Sequence, residues 1–200
     1  MPVAVVTGAS GGIGLATVKA LLASPEQWSV LGIDISAAPK EDLGSNFSFL
    51  QVNITEADAP ERIVKSAKDK FGALNALINV AGVMDLLQSV DTLDDKLWNR
   101  VISINLTAPV KLMGAAVRAF KEQGGGGVIA NVASYASISG GAAGVAYTAS
   151  KHGLVSTAIK TSRCVPIVYL RWTSGTIMTA GFRYSSAQRR LQPSDSRTRV

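Results

Sequence analysis

Three polar side chains have the types and the spacing needed to transfer a proton to or from an oxygen atom. Tyr147 and Lys151 are four residues apart, so a helix would place both on one face. A phenol with a pKa of about 10 is a weak base at neutral pH, and a nearby ammonium favours its deprotonated form. Ser134 offers a hydroxyl that can hydrogen-bond the same substrate oxygen. We therefore predict a site that exchanges a proton with an alcohol or a carbonyl group.

A glycine-rich turn near the N-terminus has the features of a phosphate-binding loop. Glycines permit a tight turn and a close approach of the backbone to a pyrophosphate, and the helix that follows presents unpaired N–H groups to the phosphates. Asp34 ends the next apolar run, where a carboxylate can accept hydrogen bonds from an adenosine ribose. We expect a dinucleotide site formed by Gly8, Ser10, Gly11, Gly12, Ile13, Gly14 and Asp34.

The acidic residue also bears on which dinucleotide is bound. A carboxylate repels a 2′-phosphate, and no Arg or Lys lies in the glycine turn or just after Asp34. NAD is therefore favoured over NADP. The hydride itself would pass to or from the nicotinamide, because that chemistry belongs to the cofactor.

The elements that must position these groups alternate along the chain. Short apolar runs typical of buried strands occupy residues 3–6, 30–33, 47–52, 76–78 and 128–132. Helical patterns follow the first run and occupy residues 60–71, 94–121 and 143–160. This alternation predicts an α/β fold with a Rossmann-like, doubly wound parallel sheet in three αβα layers. Such sheets bind ligands beyond the carboxyl ends of their strands, where Asp34, Asn79 and Ser134 are expected.

Composition excludes several classes of protein. The chain has 200 residues and 47% apolar side chains, which is typical of one globular domain and too apolar for a disordered chain. No apolar run is long enough to span a membrane and no signal peptide is visible, so we expect a cytoplasmic protein. The single Cys164 and the single His152 argue against a disulfide framework, a metal site and a Ser-His-Asp triad.

Taken together, these stretches resemble the short-chain dehydrogenase/reductase family in its one-domain form. The matching segments span about residues 1–160 and are Thr7–Gly14, Asp34, Asn79–Gly82, Asn105, Ser134 and Tyr147–Lys151. The resemblance implies that Tyr147 is the general acid/base, that Lys151 tunes it and holds the nicotinamide ribose, and that Ser134 polarises the substrate. It also implies a homodimer or a homotetramer, formed through the helices over 94–121 and around Tyr147.

The resemblance implies supporting roles for several more residues. Asn105 would sit within a helix and anchor a water relay to Lys151. Asn79, Ala81 and Gly82 would shape the floor beneath the cofactor. Asn53 occupies a position where the family usually has Asp beside the adenine, and its amide keeps an acceptor oxygen for that contact.

The chain departs from the family pattern after about Lys160. Residues 1–162 carry equal numbers of basic and acidic side chains, whereas residues 163–200 carry 7 Arg, no Lys and one acid. We predict a dinucleotide-binding and catalytic domain over 1–162. A divergent, Arg-rich segment would follow over 163–200, with a sixth strand at 166–170 and otherwise irregular structure. Residues 174–179 echo the family's turn after that strand, where Thr179 would reach the nicotinamide amide. The change of basic residue suggests a truncated, frame-shifted or alternatively spliced product with incomplete C-terminal elements.

Three functional hypotheses follow. The first is an NAD(P)-dependent oxidoreductase that acts on a secondary alcohol or its ketone through a Ser-Tyr-Lys site. The alternative is a catalytically weak or inactive NAD-binding protein whose substrate region is truncated. The third is binding of nucleic acid or of an anionic surface through the Arg-rich segment. The balanced charge of residues 1–162 gives no support to nucleic-acid binding. We therefore expect a small-molecule substrate and neither a nucleic-acid nor a membrane partner.

Overall fold

The computed structural model describes residues 1–161, 167–173 and 176–182, with side chains through residue 157. The first half contains β1 (Val3–Thr7), α1 (Gly12–Leu22), β2 (Ser29–Asp34), β3 (Phe47–Gln51), α2 (Ala59–Phe71) and β4 (Ala76–Asn79). The second half contains α3 (Asp95–Ile102), a π-helical turn (Ser103–Thr107), α4 (Ala108–Gln123), β5 (Val128–Val132), a 3₁₀ turn (Tyr135–Ser137), α5 (Val145–Thr161), β6 (Ile167–Thr173) and β7 (Thr176–Phe182). None of the helices within these ranges has both the length and the apolar character required of a membrane span.

The strands form one sheet in the order β3-β2-β1-β4-β5-β6-β7. The pairs from β3 to β6 are all parallel. The chain passes from β3, at one edge, to β4, on the other side of β1, so the strand order reverses between β1 and β4. A reversal of this kind opens a crevice at the carboxyl ends of the strands. The Rossmann-like sheet predicted from the sequence is confirmed.

The central strands are mainly apolar because helices cover both faces of the sheet. Successive side chains of a strand point to opposite faces. Val3 and Val5 of β1 belong to the core that contains residues of α2, α4 and α5, whereas Ala4 and Val6 belong to the core beneath α1. All four side chains are buried. This packing on both faces holds the carboxyl ends of the strands in a fixed arrangement.

The helix predicted over 94–121 is interrupted in its middle. It begins after Asp94, whose carboxylate accepts a hydrogen bond from the Leu97 N–H at 2.6 Å, and it ends before Gly124, which has a φ of 68°. Between α3 and α4 lies the five-residue π-helical turn. A π turn inserts one extra residue into a helix and is frequent at functional sites. This one contains Asn105.

The C-terminal segment differs from the prediction. The sixth strand is present, although it extends to Thr173. The expectation of irregular structure beyond it is wrong for residues 176–182, because β7 pairs antiparallel with β6 over seven positions. Antiparallel neighbours need only a two-residue connection, which is the length left between β6 and β7. Thr179 therefore lies inside β7 opposite Leu170 and not in a turn. Cys164, Pro166, Ser174, Gly175 and residues 183–200 lie outside the described residues.

Candidate active site

The turn from β1 to α1 packs against the end of β4. Gly8 has a φ of 73°, and a Cβ on it would lie 3.1 Å from the backbone nitrogen of Ala81. A Cβ on Gly14 would overlap the carbonyl oxygen of Gly8. The hydroxyl of Thr7 accepts hydrogen bonds from the N–H groups of Val80 and Ala81, at 3.0 and 3.1 Å. The first and last glycines are thus required by close backbone contacts.

The middle of the same turn faces open space. A Cβ on Gly11 or Gly12 would have nothing within 4 Å. Gly11 caps α1 without a side-chain hydrogen bond, and the first turn of α1 contains no acidic residue. The N–H groups of that turn are therefore available to an anion such as a pyrophosphate. Ile13 extends from this turn and is about half exposed.

Asp34 is tied to the glycine turn. Its two carboxylate oxygens accept hydrogen bonds from the N–H groups of Ser10 and Ser36, at 3.1 and 3.0 Å. The Ser10 hydroxyl donates to the carbonyl oxygen of Ala37 at 2.6 Å, so it joins the two loops. Asp34 and Ser10 line a groove that also contains Lys40. Lys40 was not predicted to lie near Asp34, because it comes six positions later in the chain.

A cleft of about 610 Å³ runs along the crevice beside this groove. It brings together five of the residues predicted to bind the cofactor, namely Gly8, Asp34, Asn53, Ala81 and Gly82. Asn99 and Arg100 of α3 form part of its wall, and neither was predicted from the sequence. The Asn53 side-chain oxygen accepts from the N–H and the hydroxyl of Thr55, at 3.1 and 2.8 Å. The acceptor expected beside the adenine is therefore already used within its own loop.

Asn79 lies beneath the cleft and does not line it. It is buried, and its side-chain nitrogen donates to the Asn131 side-chain oxygen at 2.8 Å across the paired strands β4 and β5. The Asn131 nitrogen lies 3.5 Å from the sulfur of Met113. Among the residues that the structure describes, none forms a hydrogen bond with the side-chain oxygen of Asn79. Asn131 was missed, although a polar residue within an apolar strand was a visible signal.

Tyr147 and Lys151 lie on the first turns of α5, as predicted. The Lys151 ammonium is 5.6 Å from the centre of the Tyr147 ring. It donates a hydrogen bond of 2.9 Å to the carbonyl oxygen of Val132, at the end of β5. Only 4% of Lys151 is exposed, and this burial lowers its pKa from 10.5 to about 8. The side chain therefore remains mostly protonated at neutral pH, next to the phenol ring.

Ser134 follows the same end of β5, two residues after Val132. Its hydroxyl accepts from the N–H of Ala136 at 3.2 Å, and its own N–H donates to the hydroxyl of Ser137 at 3.1 Å. These bonds cap the 3₁₀ turn and fix the backbone around Ser134. The ammonium of Lys151 thus lies at the end of β5 and near the ring of Tyr147, and Ser134 follows that strand end in the chain.

Asn105 links the loop after β4 to α5. It is 1% exposed, and its amide forms two hydrogen bonds with the backbone of Val83, at 2.8 and 2.9 Å. Its nitrogen also lies 3.2 Å from the hydroxyl of Ser150, which donates to the carbonyl oxygen of Tyr147. A Cβ on Gly82 would lie 3.3 Å from the Asn105 oxygen and 3.7 Å from the Lys151 nitrogen. The water relay from Asn105 to Lys151 stays a prediction.

Two further buried residues touch the predicted site. Ser150 is fully buried between Asn105 and the backbone of Tyr147. Asp85 is also buried and accepts a hydrogen bond from the backbone N–H of Tyr147. Neither residue was proposed from the sequence.

Comparisons with known proteins find sequence similarity over most of the chain. A family model described as short chain dehydrogenase matches residues 2–163. Asnovolin H dehydrogenase nvfC of Aspergillus novofumigatus is 49% identical over 155 residues, which are 76% of this chain and 59% of that protein. Short chain dehydrogenase ausX of Emericella nidulans is 47% identical over 155 residues, which are 76% of this chain and 77% of that protein. The chain thus spans about three-fifths of the length of several of these relatives.

Solved structures agree with the same fold. A short-chain dehydrogenase/reductase from Saccharomyces cerevisiae superposes with a TM-score of 0.78 at 29% identity. The match covers 87% of this chain and 72% of the yeast chain. The KRED1-Pglu enzyme superposes with a TM-score of 0.77 at 26% identity, covering 86% of this chain and 73% of that one.

Proposed function

The chain belongs to the short-chain dehydrogenase family of oxidoreductases, and on that premise we propose that it is an NAD-dependent enzyme that oxidises a secondary alcohol or reduces the matching ketone. The observation that carries the proposal is the buried ammonium of Lys151, held at the end of β5 and 5.6 Å from the ring of Tyr147. Burying an ammonium without an opposing carboxylate is costly, so structural stability alone does not account for Lys151.

The proton chemistry follows from these three side chains. In the oxidation direction the Tyr147 oxygen takes the hydroxyl proton of the alcohol, and in the reduction direction it returns a proton to the carbonyl oxygen. The positive charge of Lys151 stabilises the phenolate that forms. The Ser134 hydroxyl donates a hydrogen bond to the substrate oxygen as negative charge develops on it. A bound nicotinamide supplies or accepts the hydride.

The described residues fit a dinucleotide. The open space over Gly11 and Gly12 suits a pyrophosphate at the N-terminus of α1. The cleft of about 610 Å³ suits the adenosine, with Asp34 at its edge for the ribose hydroxyls. The Asp34 carboxylate favours NAD over NADP, while Lys40 in the same groove partly offsets that preference. Residues 1–162 would supply both the groups that bind the cofactor and the groups that transfer the proton.

Other properties are proposed together with this activity. The substrate is a small-molecule alcohol or carbonyl compound. The assembly is a homodimer or a homotetramer, and the location is the cytoplasm. Sedimentation of the purified chain and imaging of a tagged chain in its own cells test the last two.

The experiment is a nicotinamide absorbance assay on the full chain across a panel of secondary alcohols and ketones. Tyr147→Phe should lower kcat by at least about a hundredfold and leave NAD binding, measured by calorimetry, within about twofold of wild type. Tyr135→Phe is the matched control, because it removes the hydroxyl of an exposed tyrosine. A kcat in Tyr147→Phe that stays within about tenfold of wild type would refute the mechanism. NAD binding without turnover on any panel member would favour the catalytically weak NAD-binding protein.

A further inference from the structure

The loop after β4 contains a buried carboxylate that the proposed mechanism does not use. Asp85 has an exposed fraction of 0%. One of its oxygens accepts a hydrogen bond of 2.8 Å from the backbone N–H of Tyr147, and the other accepts one of 3.3 Å from Leu87. Within the part of the chain described with side chains, no basic side chain forms an ion pair with it. Its charge is therefore balanced by backbone dipoles.

We propose that Asp85 is a positioning residue that sets the place of Tyr147 by binding the first turn of α5. This inference rests on the proposed function, in which Tyr147 transfers the proton. The N-terminus of a helix carries a partial positive charge and unpaired N–H groups, so a carboxylate is stabilising there. Asp85 bonds the N–H of Tyr147 itself, which fixes the backbone from which the phenol extends.

The space for this contact is provided by a glycine. A Cβ on Gly144 would overlap the Asp85 carboxylate, so any larger residue there would displace it. The carbonyl oxygen of Gln88 accepts a second hydrogen bond from the same turn, donated by Val145 at 3.0 Å. The loop over 85–88 thus holds the start of α5 through two bonds, of which the Asp85 bond is made to a charged group.

Asp85 also orders the loop that borders this end of α5. Leu86 and Leu87 have φ values of 56° and 60°, in the left-handed region that branched side chains rarely adopt. Their side chains are 76% and 69% exposed, so burial of their own apolar atoms does not hold them there. The bond from Leu87 to the Asp85 carboxylate supports this strained conformation. One side chain therefore connects an exposed apolar loop to the proposed proton-transfer residue.

Four single variants of the full chain separate positioning from general stability. Asp85→Ala removes both acceptor oxygens. Gly144→Ala displaces the carboxylate of Asp85 without mutating Asp85 itself. Asp91→Ala is the control for charge, because Asp91 lies in the same loop, is exposed and accepts a hydrogen bond from the exposed Ser89 hydroxyl. Gly141→Ala is the control for the glycine, because a Cβ there would have nothing within 4 Å.

The first measurement is hydrogen exchange at the Tyr147 amide, which requires no substrate. Loss of a hydrogen bond to a charged group should speed exchange by about tenfold or more in Asp85→Ala and in Gly144→Ala, and not in the two controls. Asp85→Asn keeps one acceptor oxygen and should restore part of the protection. The second measurement is turnover, where kcat should fall by about tenfold to a hundredfold while the Kd for NAD stays near wild type.

The outcomes distinguish this inference from the proposed function. A wild-type chain that binds no NAD and turns over no substrate contradicts the proposed function, whereas the exchange measurement still reports whether Asp85 fixes Tyr147. Exchange at Tyr147 that is unchanged in both folded variants, or raised equally along the whole chain, overturns the positioning role. The positioning role is also overturned if a variant exchanges the Tyr147 amide faster than wild type and yet keeps the wild-type kcat.

Discussion

Replacing Lys151 by Met tests the energetic cost of the buried ammonium. The pKa of Lys151 falls from 10.5 to about 8 because burial disfavours the charged form. Each pKa unit corresponds to ~1.4 kcal/mol, so the charged side chain lowers the free energy of unfolding by about 3 kcal/mol at neutral pH. Met removes this cost but also removes the hydrogen bond to Val132, which is worth about 1 kcal/mol. We expect Lys151→Met to be more stable than wild type by about 2 kcal/mol at pH 7 and to have no turnover.

The lowered pKa of Lys151 also predicts how the free energy of unfolding varies with pH. Between about pH 8 and pH 10.5 the unfolded chain binds more protons at Lys151 than the folded chain does, so the stability of the wild type rises with pH in this window. Lys151→Met lacks this rise. The difference between the two proteins should therefore shrink to below about 1 kcal/mol at about pH 10.

The measurement is urea unfolding of the full chain at both pH values. Lys111→Met is the matched control, because Lys111 is exposed and its loss should change stability by less than about 0.5 kcal/mol at either pH. A variant that is less stable than wild type at neutral pH, or a difference that does not vary with pH, would refute the reasoning about burial.

Four other substitutions test separate parts of the site. Tyr147→Phe should lower kcat by about a hundredfold to ten-thousandfold, seen by nicotinamide absorbance, because it removes the proton-transfer group. Gly14→Ala should lower the free energy of unfolding by about 2 kcal/mol or more, because its Cβ would overlap the Gly8 carbonyl oxygen. Gly11→Ala should change the free energy of unfolding by less than about 0.5 kcal/mol and should weaken NAD binding instead. Equal losses of stability in the two variants would contradict this reasoning. Asp34→Asn should increase the affinity for NADP relative to NAD, and calorimetry that shows an unchanged ratio would remove the electrostatic argument for Asp34.

The parts of the fold that could be predicted from sequence depend on short-range patterns. The glycine turn, the strand that ends at Asp34 and the four-residue spacing from Tyr147 to Lys151 are each contained within one or two elements. The apolar runs identified the strands because helices bury both faces of the sheet. The general location of the proposed site followed from the rule that ligands bind at the carboxyl ends of parallel strands.

The residues that were missed depend on contacts between distant parts of the chain. Asp85 is 62 residues from Tyr147, and Asn79 is 52 residues from Asn131, so neither pair has a local signal. The strand β7 was also missed, because residues 176–182 were expected to be irregular, whereas they pair antiparallel with β6. Asn53 shows the converse, because its side-chain oxygen, for which a ligand contact was expected, accepts two hydrogen bonds within its own loop.

The π-helical turn has a consequence for insertions and deletions in this region. Asn99 and Arg100, before the turn, face the cleft, whereas Leu112 and Phe120, after it, pack in the core. Each residue of a regular helix advances the side-chain direction by about 100°. Deleting Thr107 would restore a regular helix, and it would rotate either the cleft wall or the core-facing side chains away from their partners. The extra residue therefore shifts the side-chain directions of α4 relative to those of α3, and no substitution of side chains alone can replace it.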